Sequence, residues 1–281
     1  MTLMNPMHNL KALLLAQGKG KITLFFCFAL LCAISTDSPI VPLMTQGSSA
    51  EPTFHAAAKA VIRPKHRAAE LLTVVRQPDI RANHQKLADT VLRALPRYCR
   101  ESLQNFYVSY DPTNTNRGLG GESTIFVTGL VPDKEFMALI THECGHVADL
   151  GGLRGTMDSG MTEFFDGTTP IYANDVSLRF YRISWTDAKT RKVGSKEKDF
   201  ASGYATSDCF EDFAEAFAFY ALQEKEFARL AKTNTILAQK YAFMRDIVFA
   251  DSAPVGDGRF VRRNTVPWDV TRLPYEWHAK R

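Results

Sequence analysis

The chain has no apolar run long enough to cross a membrane as a helix, no internal repeat, no low-complexity block and little excess charge of either sign. Each absence narrows what it can be. The longest apolar run, Ile22 to Ile34, has 13 residues, whereas a bilayer-spanning helix needs about 20. The formal charge is +4 over 281 residues, and the first 35 residues hold Lys11, Lys19 and Lys21 with no acid, leaving +1 for the remainder. That excludes the concentrated basic face of a nucleic-acid binder. Cysteine is scarce: beyond Cys27 and Cys32 there are only Cys99, Cys144 and Cys209. An odd number of thiols forms no closed disulfide framework, so stability is expected from the core alone.

What is present begins with an export pattern over residues 1–35. Lys19 and Lys21 precede the apolar run, and Ala33 and Ser35 supply the small residues of a cleavage site after Ser35. The expected location is secreted or periplasmic; the alternative is an uncleaved anchor at 22–34, the only membrane contact expected. A lipoprotein site at Cys32 lacks the small residue required before it. Residues 36–60, with Pro39, Pro42, Pro52 and Gln46-Gly47-Ser48-Ser49, read as a flexible linker. Residues 61–281 form the expected globular domain, with an irregular tail after Pro254 anchored by Trp268, Tyr275 and Trp277.

The patterns within this domain predict an α+β fold. Helices are expected over 65–76 and over 80–95, the second from Leu87, Val91, Leu92 and Leu95 before Pro96. Phe106, Val108 and Tyr110 alternate as in a half-buried strand, and Ser123–Thr128 reads as a second strand. Gly118, Gly120 and Gly121 before it either permit close approach of another backbone, as pairing with an extended peptide requires, or make a flexible turn. A helix is expected from Asp133, its N-cap, to Leu150, with Gly151-Gly152 as the stop. Ser177–Trp185 reads as a strand or hairpin arm with an exposed continuation over 186–199. Helices follow from Ser207 or Asp208 to about Lys232 and over 234–249.

The segment that carries chemistry is His142-Glu143-Cys144-Gly145-His146. At about 100° per residue, positions four apart share a helix face, so both imidazoles can bind one metal, and neutral imidazole suits zinc. Glu143 lies beside that face, within reach of a water on the ion, and can take its proton. Phe136, Leu139, Ile140 and Val147 supply the apolar side of a buried helix. The alternative is two histidines at helical spacing with no metal between them. Cys144 and Cys209 are either sulfur ligands or small packing residues.

A catalytic zinc needs a third protein ligand and an open position. A third histidine in the extended motif is excluded, because Asp149 and Gly152 stand where glycine and histidine are required. Asp158 is conceivable, but Glu211 in Asp208-Cys-Phe-Glu-Asp-Phe-Ala-Glu215 is the best candidate, with Glu215 one turn later as the alternative. Asp208 and Glu211 also fit a plain capping box. Tyr204 before this helix reads either as packing or as a catalytic phenol. Asp149 is an acid near a helix C-terminus, where it opposes the dipole, and orienting His142 or His146 would account for it.

At His142-Glu-Cys-Gly-His146-Val-Ala-Asp149, Glu211-x-Phe-Ala-Glu215-Ala-Phe217 and Tyr204 the chain resembles the glutamate-type zincins, in particular the catalytic domain of anthrax lethal factor and related secreted peptidases. The resemblance covers about a hundred residues. It implies a zincin-like domain with a small mixed sheet and two active-site helices, Glu211 as third ligand, Tyr204 as oxyanion stabiliser, and Asp149 and Glu215 as supports of the ligands. The expected function is therefore a zinc endopeptidase acting on a protein or peptide, with Ser123–Thr128 as the edge that aligns it. The alternative is a zinc-containing binding or scaffold module, which Cys144 or Cys209 at the metal would favour.

Overall fold

Residues 70–278 are described by the computed structural model; the expected signal at 1–35, the linker at 36–60 and the start of the domain at Val61 lie outside them. No helix among the described residues is long and apolar enough to cross a membrane. These residues form a mixed α plus β structure of small sheets and several helices.

Helix α1 (Ala82–Ala94) buries Ala88, Val91 and Leu92 on one face and stops where Leu95, forced extended by Pro96, leaves helical geometry. A short helix α2 (Arg97–Ser102) carries Cys99 inward. Strands β1 (Asn105–Ser109), β2 (Gly118–Gly120) and β3 (Thr124–Thr128) form a mixed sheet in the order β1-β3-β2, β1 parallel and β2 antiparallel to β3. Phe106 and Val108 of β1 point inward, as alternation predicts. The strand expected to align a peptide, β3, is central, with both backbone edges paired; the edge strands are β1 and β2, of which β2 lies over Glu143 and His146.

Helix α3 (Asp133–Val147) runs beneath the sheet and buries every residue from Phe136 to Val147. Pro132, not Asp133, is its N-cap, which leaves Asp133 and Glu135 as first-turn acids favourable to the dipole. The helix does not end at Leu150 but widens into a π turn over Ala148–Gly152. A hairpin of β4 (Met161–Asp166) and β5 (Thr169–Tyr172) follows.

Ser177–Trp185 is not a strand: Leu178–Ser184 form helix α4, burying Leu178, Tyr181 and Ser184 at three-residue spacing. In so short a segment the apolar positions satisfy both periods, and tertiary packing decides. Residues 186–199 fold back in a tight loop closed by a single antiparallel bridge between Trp185 and Arg191, then turns and a 3-10 turn at Glu197–Asp199. Likewise the described part of the expected 65–76 helix is turn, not helix.

Helix α5 (Cys209–Ala231) starts at Asp208, whose carboxylate accepts from the backbone N–H groups of Phe210 and Glu211. Helix α6 (Thr235–Phe243), capped by Asn234, continues into a π turn to Val248. The tail adds a ribbon of β6 (Gly256–Gly258) and β7 (Tyr275–Trp277). Tyr275 is buried and Trp277 packs partly against the core, whereas the Trp268 side chain is 70% exposed.

The thiol arithmetic is overturned by a disulfide between Cys99 and Cys144, 45 residues apart, which ties α2 to α3. Parity excluded a framework of three cysteines but not one bridge and one leftover thiol. That leftover is Cys209, buried and free.

Candidate metal centre

Two buried helices build the site, and a small contact sets their distance. A Cβ on Gly145 would lie 2.7 Å from the Ala214 Cα; with only hydrogen there, α3 and α5 approach closely enough for α5 to present Glu211 to both histidines of α3. One ligand atom each from His142, His146 and Glu211 lies within 4.8 Å of the other two. Glu211 Oε2 is 3.3 Å from His142 Nε2 and 3.4 Å from His146 Nε2. Metal–ligand bonds of about 2.0–2.1 Å at tetrahedral angles place ligand atoms about 3.3 Å apart. Glu211 Oε2 therefore already stands, from each imidazole nitrogen, at the separation a shared ion requires.

Glu211 Oε2 is buried and has no hydrogen-bond partner. An orphaned carboxylate oxygen is costly unless something else compensates it, and a cation shared with the two imidazoles would do so. The electrostatics agree. Burial works against charge on His142 and His146, yet the adjacent Glu211 carboxylate and, at His142, Glu215 raise both above the ordinary imidazole value. Burial would likewise raise Glu211, but His146 and His142 hold it well below the usual carboxylate range. The pocket favours positive charge.

Glu215 is fully buried one turn beyond Glu211, and its Oε1 lies 2.8 Å from His142 Nδ1. Its Oε2 accepts from the Val270 backbone N–H at 3.0 Å. Glu215 thus fixes the ring that presents Nε2 to the cluster, and the tail fixes Glu215. Asp149 is buried as well, but the hydrogen bond it accepts, at 2.7 Å, comes from the Tyr181 hydroxyl of α4 rather than from a histidine. Burial drives its carboxyl well above its ordinary value. Asp158 is exposed in a 3-10 turn and outside the cluster. Cys144 is oxidised and Cys209 is not among the grouped ligands, so neither supplies sulfur to a metal.

Glu143 is only 3% exposed, and burial pushes its carboxyl up to about 7 against the pull of His142 and His146. It lies directly under β2. A Cβ on Gly118 would be 2.0 Å from Glu143 Oε1, and one on Gly120 would be 2.7 Å from His146 Cβ and 2.9 Å from Glu143 Oε2. The two glycines are needed for close approach, but the group that approaches is this carboxylate. Tyr204, in a 3-10 turn before α5, donates its hydroxyl to Glu211 Oε1 at 3.0 Å. Burial raises the phenol above its usual value, so it remains a donor.

Residues without a sequence signal complete the frame. Arg117, just before β2, bridges Glu135 of α3 and Asp269 of the tail, and also donates to Thr271 at 3.1 Å. No protein-family model, curated protein or solved structure matches the chain significantly.

Proposed function

We propose that this chain is a zinc-dependent endopeptidase of the glutamate-ligand zincin kind. The observation that carries the reading is the convergence of His142 and His146 on the unpartnered Glu211 Oε2, at 3.3 and 3.4 Å, with Glu143 beside them. Zinc bound there would supply Lewis acidity, polarising a peptide carbonyl and lowering the pKa of water towards neutrality. Glu143, held near 7 by burial, takes the proton of the attacking water and returns one to the departing amine nitrogen. Tyr204 keeps its hydroxyl proton and, turning it from Glu211 Oε1, donates to the carbonyl oxygen as negative charge develops on it. The unpaired edge of β2, rather than β3, is the strand along which an extended substrate pairs its backbone.

The alternative, a zinc-containing binding or scaffold module, calls for a fourth protein ligand that closes the site. Both cysteine candidates are withdrawn, one into a disulfide and one outside the cluster, which favours an open site. The disulfide also fits the oxidising compartment that an export signal implies. The test is Glu143→Gln: it is expected to keep its zinc and lose casein cleavage, and a variant that cleaves at the wild-type rate overturns the scheme.

A further inference from the structure

Trp268 leaves 70% of its surface in solvent, yet it is not a loose side chain. Gly203 N–H donates to the Pro267 carbonyl and Tyr204 N–H to that of Trp268, each at 2.8 Å, so the tail is stitched to the segment that carries the phenol. A Cβ on Gly203 would stand 2.8 Å from Trp268 Cε3, so the indole rests on bare backbone. Two residues on, Val270 N–H holds Glu215 and through it His142. The indole centroid is 6.3 Å from that of Tyr204, which is 6.1 Å from that of His142. Three rings thus lead from a metal ligand to the surface, and the outermost is a fixed apolar plate facing water.

We infer that Trp268 determines substrate specificity, its exposed indole being the apolar plate on which an aromatic or large aliphatic side chain packs at one fixed position relative to the scissile bond. This rests on the peptidase reading. One ring is far smaller than a stable protein interface, which buries upward of about 1,200 Å², but it matches a single peptide side chain. The carboxylate next in sequence, Asp269, is already paired with Arg117 and offers a basic side chain nothing; Glu197 is exposed near Gly203, so wild-type cuts that share a lysine or arginine at that position would overturn the inference.

The test digests denatured casein with zinc-loaded wild type, Trp268→Ala and Trp268→Phe, and identifies the new termini by mass spectrometry. Wild-type cuts are expected to share an aromatic or large aliphatic residue at one position. Trp268→Ala loses that preference, with kcat/KM falling about 10-fold through KM on a peptide bearing the preferred residue and unchanged on its alanine analogue. Trp268→Phe keeps most of the preference. Equal zinc content and circular dichroism among the three exclude misfolding as the cause. The same preference in Trp268→Ala, an equal loss on both peptides, or no preference in the wild type overturns the inference. A zinc-loaded wild type that cuts nothing overturns the peptidase reading itself, which separates the two failures.

Discussion

Gly118 and Glu143 are in such close contact that a single added methyl carbon on the glycine would stand 2.0 Å from the carboxylate oxygen. The sheet edge and α3 are fitted to each other through the absence of a side chain. Gly118→Ala is therefore expected to push Glu143 out of place without touching a ligand. A displacement near 1 Å costs on the order of 100-fold in rate, so kcat should fall about that much while zinc content stays at the wild-type level. Parallel kinetics and metal analysis check this, and unchanged kcat would mean that Glu143 needs no such placement.

Glu215 holds His142 Nδ1 at 2.8 Å and is itself held by the Val270 backbone. Removing a carboxylate behind a ligating histidine weakens metal binding about 10- to 100-fold. Glu215→Ala should show this as easier zinc loss in a chelator titration. Affinity falling to nothing would instead make Glu215 a direct ligand.

The Cys99–Cys144 bridge closes a loop of 45 residues. A bridge of this span contributes about 2–4 kcal/mol. Cys99→Ala/Cys144→Ala is expected to lower unfolding stability in urea by that amount, and alkylation under non-reducing denaturing conditions should leave both native cysteines unlabelled. Labelling of both would contradict the bridge.

Lys240 of α6 and Asp212 of α5 form a fully buried pair, Nζ to Oδ2 2.6 Å, and Trp185 Nε1 donates to the same carboxylate at 2.9 Å. Burial lowers Lys240 and raises Asp212. The two groups titrate as one coupled pair, and neutralising either alone leaves the other charge buried without its partner. Lys240→Met alone strands the carboxylate and should cost about 3–5 kcal/mol at pH 7. Adding Asp212→Asn, which still accepts from Trp185, should recover more than half of that loss in a thermal or urea melt. No recovery would show that the attraction outweighs the desolvation.

Much of the site was legible because it is local. His142 and His146 are one helical turn apart, and Asp208 marks the start of α5 three residues before Glu211. β1, β3, α1 and α6 also announce themselves by period and punctuation. What escaped reading depends on chain segments far apart in sequence. Nothing near Cys99 names Cys144 as its partner, and nothing near Val270 names Glu215, 55 residues away. β4 alternates in burial, but its exposed face carries Met161 and Phe165, so its residue types lack the apolar–polar alternation that marks a half-buried strand. Ser177–Trp185 fits either period until Tyr181 meets Asp149. Gly118 and Gly120 signalled a close approach, but only the fold identifies what approaches.

The most direct measurement is the zinc content of the purified wild-type chain beside Glu211→Ala, with casein cleavage recorded on the same samples. The account predicts about one zinc per chain with cleavage in the wild type, and loss of both in the variant, because Glu211 Oε2 is the third donor of the cluster. Full zinc retained without Glu211, or full zinc with no cleavage by the wild type, would contradict it.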